Sequence, residues 1–534
     1  MCGICSRLGV NIHTSDTEPQ FASDPNSFSL DPFAGGTYRN KPILNKAGVI
    51  NQIDSGASLN VNGGVITYTF LDLRHLIGIY NNKNFGFTAG DGLSPFSEAQ
   101  RTAAREAVVL WDDLVSLTFK ETNGLGADIQ FSNSLDPGQA YAYYPTKQGW
   151  RFQSDVFVAD PEVNVTNKWF SNGGYGDTTL IHELGHAIGL SHPGAYNGAA
   201  ATTYAGMAEY AQDSMQYSIM SYWMGGETGW ITRNWLTSQT NYAQTPMVHD
   251  ILTIQAKYGA DMTTRATDTT YGFNSTADRA VYDFTTNKFP FLSIYDAGGN
   301  DTLDASGFAA GVFIDLHEGA FSSVSAAVPT LAEINAGRAA LAAELGVRIN
   351  PTTQASVDAA KALRLPLIEA KILAATGVAG VTATQYDNVS IAYGTIIENA
   401  IGGSARDVLW GNQVANRLDG RGGADVLNGF EGADTLIGGA GNDTFQFSTM
   451  GDLGNRILDF TRGDKIDVSK FDTNAGAIGD QAFAFIGATA FSKVAGQLRY
   501  SNGLVEGDVN GDGLADFSVI IANNAALTAT DFFL

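Results

Sequence analysis

Five consecutive nine-residue units run in register from Gly402 to Gln446, and no other feature of this 534-residue chain constrains its fold so tightly. Their sixth positions are Asp407, Asn416, Asp425, Asp434 and Asp443, and their eighth positions are Leu409, Leu418, Leu427, Leu436 and Phe445. A unit of this kind holds one tight loop and one short strand. It cannot bury an apolar face alone, so the units must stack as a parallel β-roll with the eighth residues in one core. The glycines allow loop dihedrals closed to other residues and let carbonyl oxygens crowd together. A flexible Gly/Asp linker would not keep an apolar residue at every eighth position. Aspartates two units apart lie on the same side of the stack, so Asp407 faces Asp425, and Asp425 faces Asp443. Carboxylates gathered like this suit calcium, a hard cation that prefers oxygen ligands. Asp407, Asp425, Asp434 and Asp443 are the candidate ligands of the units, while Ala405, Val414 and Asn416 depart from the ideal repeat.

A second pattern carries chemistry. In His182-Glu183-Leu184-Gly185-His186-Ala187-Ile188-Gly189-Leu190-Ser191-His192, the first two histidines sit one helical turn apart on one face. Two imidazoles so placed can bind one zinc ion. Gly189 tolerates the left-handed turn that ends a helix and brings His192 back as a third ligand. Glu183, beside the first ligand, can reach a water at the metal without binding the metal. His13, His75, His249 and His317 lack such company and read as structural. The pattern resembles the metzincin signature, which implies a downstream methionine turn, present as Ser218-Ile219-Met220-Ser221-Tyr222. Met220 would form a soft apolar floor beneath the imidazoles, and Tyr222 could bring its phenol to the zinc.

With Pro193-Gly194 after His192 and Tyr217 opening the methionine turn, the chain resembles the serralysin branch of the metzincins, secreted bacterial endopeptidases, from about residue 60 onward. That resemblance implies an α+β metzincin catalytic domain followed by an all-β parallel β-roll domain with a helical insertion. It implies that Tyr222 ligates zinc at rest and swings away to stabilise the tetrahedral intermediate. By the same resemblance, Asp296, Gly298 and Asp301 share a calcium with carbonyls of the Arg265, Thr267 and Thr269 segment. Gly299 and Asp301 share another with Ile396 and Glu398. The implied partners are protein substrates, a one-step (type I) secretion exporter that reads the C-terminus, and a small periplasmic protease inhibitor. Asp531-Phe532-Phe533-Leu534 is similar to the family's acid-then-hydrophobic tail.

Composition agrees. Fifty-five acids against 31 bases leave a net charge of −24, which argues against nucleic acid or an anionic membrane as a partner and which bound calcium would offset. No apolar run is long enough to span a membrane, and the first residues lack the basic-then-apolar layout of a cleaved secretory signal. Cys2 and Cys5 are too close together to staple a large loop, though a thiolate there could cap the zinc in a latent form. The chain divides into a polar leader or prosegment (1–45), a zinc metalloprotease catalytic domain (46–260), a calcium-binding β-roll (261–450) and a C-terminal β region with the secretion signal (451–534). Strands are predicted at 65–70, 128–131 and 155–158, and helices at 97–111 and 177–188. Ala140-Tyr141-Ala142-Tyr143 matches the family's edge strand above the cleft, where an extended peptide would pair by β-augmentation. Asp508 through Asp516 offers oxygens at alternate positions, but a plain turn explains it equally well.

About residues 328–378, helical sequence interrupts the roll. Thr330-Leu331-Ala332-Glu333 makes a capping box, a second helix starts after Pro351 and breaks near Pro366, and a third reaches Ala375. Leu331, Ile334, Ala339 and Leu341, with Leu363, Leu367 and Ile368, supply apolar faces for a protruding subdomain on the roll. The whole reads as a secreted, extracellular or cell-surface, zinc-dependent and calcium-stabilised endopeptidase. Its rival is a catalytically silent calcium-binding surface or matrix protein, against which the intact set His182, Glu183, His186, His192 and Tyr222 counts.

Overall fold

The computed structural model describes residues 29–59, 61–72, 92–123, 126–135, 138–148, 151–196, 203–448, 454–471 and 481–534. Cys2, Cys5, His13 and His75 lie outside them. The architecture is mixed α/β, with many strands. Its helices are α1 (Lys46–Ile53), α2 (Glu98–Asp112), α3 (Tyr175–Ala187), α4 (Tyr204–Met207), α5 (Val248–Tyr258), α6 (Leu331–Leu345) and α7 (Gln354–Thr376).

The first half is built on a five-stranded sheet ordered 118–121, 65–70, 129–134, 156–159, 140–142. Its strands are parallel except Ala140–Ala142, which pairs antiparallel at the edge, where the sequence placed it. Helix α2 begins at a capping box between Ser97 and Gln100 and buries Ala103, Ala104, Ala107, Val108 and Trp111. Its Trp111 indole donates to the Ile181 carbonyl at 3.1 Å, locking α2 onto α3.

In the second half the repeats form two facing parallel sheets. Strands 399–401, 417–419 and 435–437 belong to one, and 408–412, 426–430 and 444–446 to the other. Leu409 is in register with Leu427 and Phe445, and Leu418 with Leu436; all five side chains sit in one core. The sixth residues form side-chain ladders. Asp425 Oδ1 accepts from the Asp407 amide, Asp443 Oδ1 from the Asp425 amide, and Asp464 Oδ1 from the Asp443 amide. On the other side Asp434 Oδ1 accepts from Asn416 and Asn455 Oδ1 from Asp434. A Cβ on Gly402, Gly411, Gly420, Gly429 or Gly438 would collide with the sixth side chain of its own unit, which fixes glycine at the first position.

Residues 29–45, polar and assigned from composition to the leader, are packed into the body. The Leu30 amide donates to the Tyr217 hydroxyl, and Asp31 accepts from His249, Tyr393 and Gln212. Phe532–Phe533 adds a strand beside Lys465–Asp467, so the hydrophobic tail is part of the folded roll.

The insertion departs from the sequence reading in three ways. First, α7 is one helix running through Pro366, not two. The proline deletes one amide donor, but Ile368 and Ile372 pack with Phe313, Val408 and Val426 of the roll and hold both halves in line. Second, the buried stripe is shifted: Leu363 is exposed, while Arg364 and Lys371 turn inward. Lys371 faces Asp387, a buried carboxyl raised well above its usual range by burial, and partly offsets that rise. Third, the helices do not protrude from the roll alone. Leu341 and Leu345 of α6 pack on Trp169 and Tyr175 of the first half, and Arg338 donates to the Thr237 carbonyl. The insertion bridges the two halves.

Candidate metal centre

Helix α3 carries His182, Glu183 and His186 and is buried along almost its whole length. Beyond it Gly189 takes φ +104°, the left-handed turn expected, and His192 returns to the two helix histidines. The Nε2 atoms of His182 and His186 lie 3.2 and 3.0 Å from His192 Nε2. Each helix histidine gives its other ring nitrogen to a carbonyl: His182 Nδ1 donates to Ile219 O and His186 Nδ1 to Leu190 O, both at 2.8 Å. Those bonds fix the tautomers and leave the Nε2 lone pairs pointing at one another, the arrangement a metal-binding imidazole needs. Among the described residues, this is the one group of three or more His, Cys, Asp or Glu side chains whose ligand atoms converge, all within 4.8 Å. The donor set fits zinc.

Glu183, next on the helix, is fully buried beside this cluster. Met220 is buried under α3, and a Cβ on Gly185 would lie 2.7 Å from its Sδ, so a helix residue without a side chain is required there. Asp250 shapes the turn around Met220: its carboxylate accepts from Ser218 Oγ, the Ile219 amide and the Met247 amide. The Tyr222 ring sits 4.3 Å from that of His192, centroid to centroid. Asp250, Tyr196 and Asp213 around the turn were not singled out from the sequence; lone acids and tyrosines carry no spacing signal, and only the fold brings them here. His249 and His317 are engaged with Asp31 and Asp315.

The candidate calcium ligands fall into two places. In the first, the 265–269 segment, Asp296–Asp301 and Glu398 come together. Asp301 Oδ1 accepts from the Thr269 amide and Glu398 Oε2 from the Asp301 amide. Asp296 accepts from the Gly298 amide and the Tyr271 hydroxyl, and Thr267 O accepts from Thr269 Oγ1. Gly298 and Gly299 hold φ of +142° and +150°, and a Cβ on Gly299 would strike Thr267. The Arg265 guanidinium is spent on Asp113 and the Tyr295 carbonyl, which leaves its own carbonyl as its contribution. Ile396 is exposed two residues before Glu398, with only its main chain to offer. The second place is the stacked repeats, with Asp407, Asp425 and Asp443 on one ladder and Asp434 on the ladder opposite. Asp301 Oδ2, Asp425 Oδ2 and Asp443 Oδ2 are buried with no hydrogen-bond partner. A buried carboxylate oxygen left unpaired is costly, and a cation would satisfy it. Burial pushes Asp301 and Asp407 up to about 7, Asp425 to about 8 and Asp443 to about 6, with neighbouring carboxylates adding to three of the four. The residues fit calcium. The Asp508–Asp516 loop differs: Asp508 accepts from the Gly511 and Gly513 amides and Asp516 from Val509 and Asn510, so its oxygens close a turn.

A buried three-imidazole cluster with an adjacent glutamate is a constellation able to hold a metal ion beside a base. The profile described as "Peptidase M10 serralysin C terminal" matches residues 260–334 and 368–534, breaking inside the helical insertion. The "Metalloprotease AprA" of Pseudomonas entomophila (strain L48) is 35% identical over 539 residues, covering 96% of this chain and 97% of that protein. "Serralysin G" of Dickeya chrysanthemi is 36% identical, covering 72% and 69% of the two chains. The "Serralysin" of Photorhabdus laumondii is 37% identical, covering 73% and 70%. The chain belongs to the serralysin family of metalloproteases, whose membership implies zinc.

Proposed function

We propose that this is a secreted zinc endopeptidase with a metzincin catalytic domain (46–260), a calcium-stabilised β-roll (261–450) and a C-terminal β region (451–534), preceded by a leader within 1–45. The convergence of His182, His186 and His192 through three Nε2 atoms carries the reading. When bound there, zinc supplies Lewis acidity to the water and the scissile carbonyl. Glu183 takes the proton of the attacking water and returns it to the leaving amine, the general base and then acid of the reaction. It follows His182 directly on α3 and is fully buried. Tyr222, a ligand at rest, donates its phenol to the developing oxyanion, a contribution of about 10²–10³ in rate for donors of this kind. Ala140–Ala142, the free edge of the sheet, pairs with the backbone of an extended substrate, so recognition reads main chain more than one side chain. Met220 supports the imidazoles from below.

Calcium is held at Asp296, Gly298, Gly299 and Asp301 with the Arg265, Thr267, Thr269, Ile396 and Glu398 positions, and along Asp407, Asp425, Asp434 and Asp443. The orphaned carboxylate oxygens support this assignment. The partners are protein substrates, a type I exporter and a small periplasmic inhibitor. Because Phe532 is buried and paired in the roll, the exporter reads Asp531–Leu534 before the chain folds. No helix among the described residues is long and apolar enough to cross a membrane.

Glu183→Ala tests the mechanism. The purified variant should keep its fold and its zinc, measured by metal analysis, and lose casein hydrolysis by at least about 10²–10⁴-fold. Near-wild-type turnover would overturn it.

A further inference from the structure

We infer that Asp213 is a positioning residue for Tyr222, fixing where its phenol stands over the histidine cluster; this rests on the reading of Tyr222 as the oxyanion donor. Asp213 is fully buried, and its carboxylate gathers three donors. Oδ1 accepts from Ser221 Oγ at 2.7 Å and from the Tyr196 hydroxyl at 2.9 Å, and Oδ2 accepts from Trp223 Nε1 at 3.1 Å. Ser221 and Trp223 are the residues on either side of Tyr222, so one carboxylate pins the chain before and after it. The Trp223 carbonyl accepts from the Met215 amide at 2.7 Å, a second tie between the same two segments. Tyr196, the third donor, is the ring beneath: its centroid is 4.7 Å from that of Tyr222 and 5.7 Å from that of His192.

The chemistry favours this role over simple packing. A buried carboxylate costs several kcal/mol unless it is fully bonded, and an apolar side chain of similar volume would fill the space more cheaply. An ionised acceptor gives shorter, more directional bonds than a neutral one. All three partners here are donors, and the indole can be nothing else. Tyr222 itself is only partly buried, so protein does not enclose its ring on every side. Its station is therefore set from behind, through Ser221, Trp223 and Tyr196. Rate depends steeply on such placement, and an error of about 1 Å in a reacting group can cost about 10²-fold.

A double-mutant cycle on the full-length zinc enzyme tests this. Asp213→Ala removes the acceptor; Ser221→Ala and Trp223→Phe each remove one donor with little change of volume and carry the test should Asp213→Ala not fold. Each is made with Tyr222 and with Tyr222→Phe. Acting through Tyr222, the substitutions lower kcat about tenfold with KM little changed when Tyr222 is present, and less than about twofold when it is phenylalanine. In crystals of the metal-free variants, the Tyr222 ring leaves its 4.3 Å station against His192. Equal losses of kcat in both backgrounds, with the Tyr222 ring unmoved, would overturn the inference. Undiminished kcat in Tyr222→Phe alone would instead overturn the reading of Tyr222 on which it rests.

Discussion

Removing calcium should make the stability of the roll depend on pH in an unusual direction. Burial and the carboxylates of Asp407 and Asp443 push Asp425 from 3.8 up to about 8, and burial pushes Asp407 to about 7. In metal-free protein the unfolded chain has released these protons by about pH 5, while the fold still holds them. Each such group then favours unfolding by about 1.4 kcal/mol for every pH unit gained below its folded pKa. From about pH 5 to pH 7 that amounts to nearly 3 kcal/mol for Asp425 and somewhat over 2 for Asp407. Asp301 adds in the same direction, and Asp443 does so up to about 6. Carboxylates whose pKa the fold depresses, such as Asp31, Glu121, Glu318 and Glu333, are ionised in both states across this window and drop out. The two buried ladder groups are neighbours and do not add fully, so roughly 3–5 kcal/mol is at stake, or about 10 °C in Tm for a unit of this size. Calcium reverses the sign: it binds the ionised carboxylates, so the loaded roll gains stability as pH rises and protons cease to compete. The assay is calorimetry or intrinsic fluorescence melting, in excess chelator after demonstrated calcium removal and again in millimolar calcium. The two Tm curves should converge toward pH 5 and separate toward pH 7. A chelated protein that melts at the same temperature or higher at pH 7 would refute the reasoning.

Two further perturbations follow from the packing. Gly185→Ala places a methyl 2.7 Å from Met220 Sδ and should destabilise by about 1–3 kcal/mol and weaken zinc retention, read by melting and metal analysis; a neutral effect would show that Met220 is free to move. Replacing residues 328–378 with a short Gly/Ser linker uncovers Trp169, Tyr175, Phe313 and Val408, and should lower Tm by several degrees while casein hydrolysis at 25 °C persists; an unchanged Tm would show that the bridge carries no stability.

What the sequence revealed, and what it hid, follows from where each signal resides. The histidine cluster was legible because its geometry is local: His182 and His186 are set by one helical turn, and His192 by one glycine. The ladder was legible from Asp407 to Asp443 because the nine-residue period is strict there. It continues through Asn455 and Asp464, but the step grows from 18 to 21 residues, and a search in strict register passes over both. Asp213 and Asp250 were invisible for a different reason. Each is an isolated acid whose partners come from separate segments, Ser221, Tyr196 and Trp223 for one and Ser218, Ile219 and Met247 for the other, an arrangement that leaves no periodic trace. Pro366 misled because local chemistry disfavours proline in a helix, while burial of Ile368 and Ile372 beyond it outweighs one lost hydrogen bond.

The insertion shows how that tertiary override bears on function. Its α7 rests on strands of the β-roll, and its α6 rests on the segment that leads into α3. Glu344 of α6 accepts from the Phe170 and Ser171 amides at 2.7 and 2.8 Å, just ahead of the first turn of α3. Hydrogen bonds to a charged acceptor are worth about 1.5–3 kcal/mol, comparable to the loss from a truncated core residue. Burial, then the Glu106 carboxylate and then this one raise Asp177 in that first turn well above its usual range, so the contact is felt electrostatically inside α3. A perturbation that loosens the roll should therefore loosen a support of the helix that carries His182, Glu183 and His186. The family profile breaks inside this insertion, and its helices tie the two halves together through the buried faces of Leu341, Leu345, Ile368 and Ile372 and through the hydrogen bonds of Arg338 and Glu344.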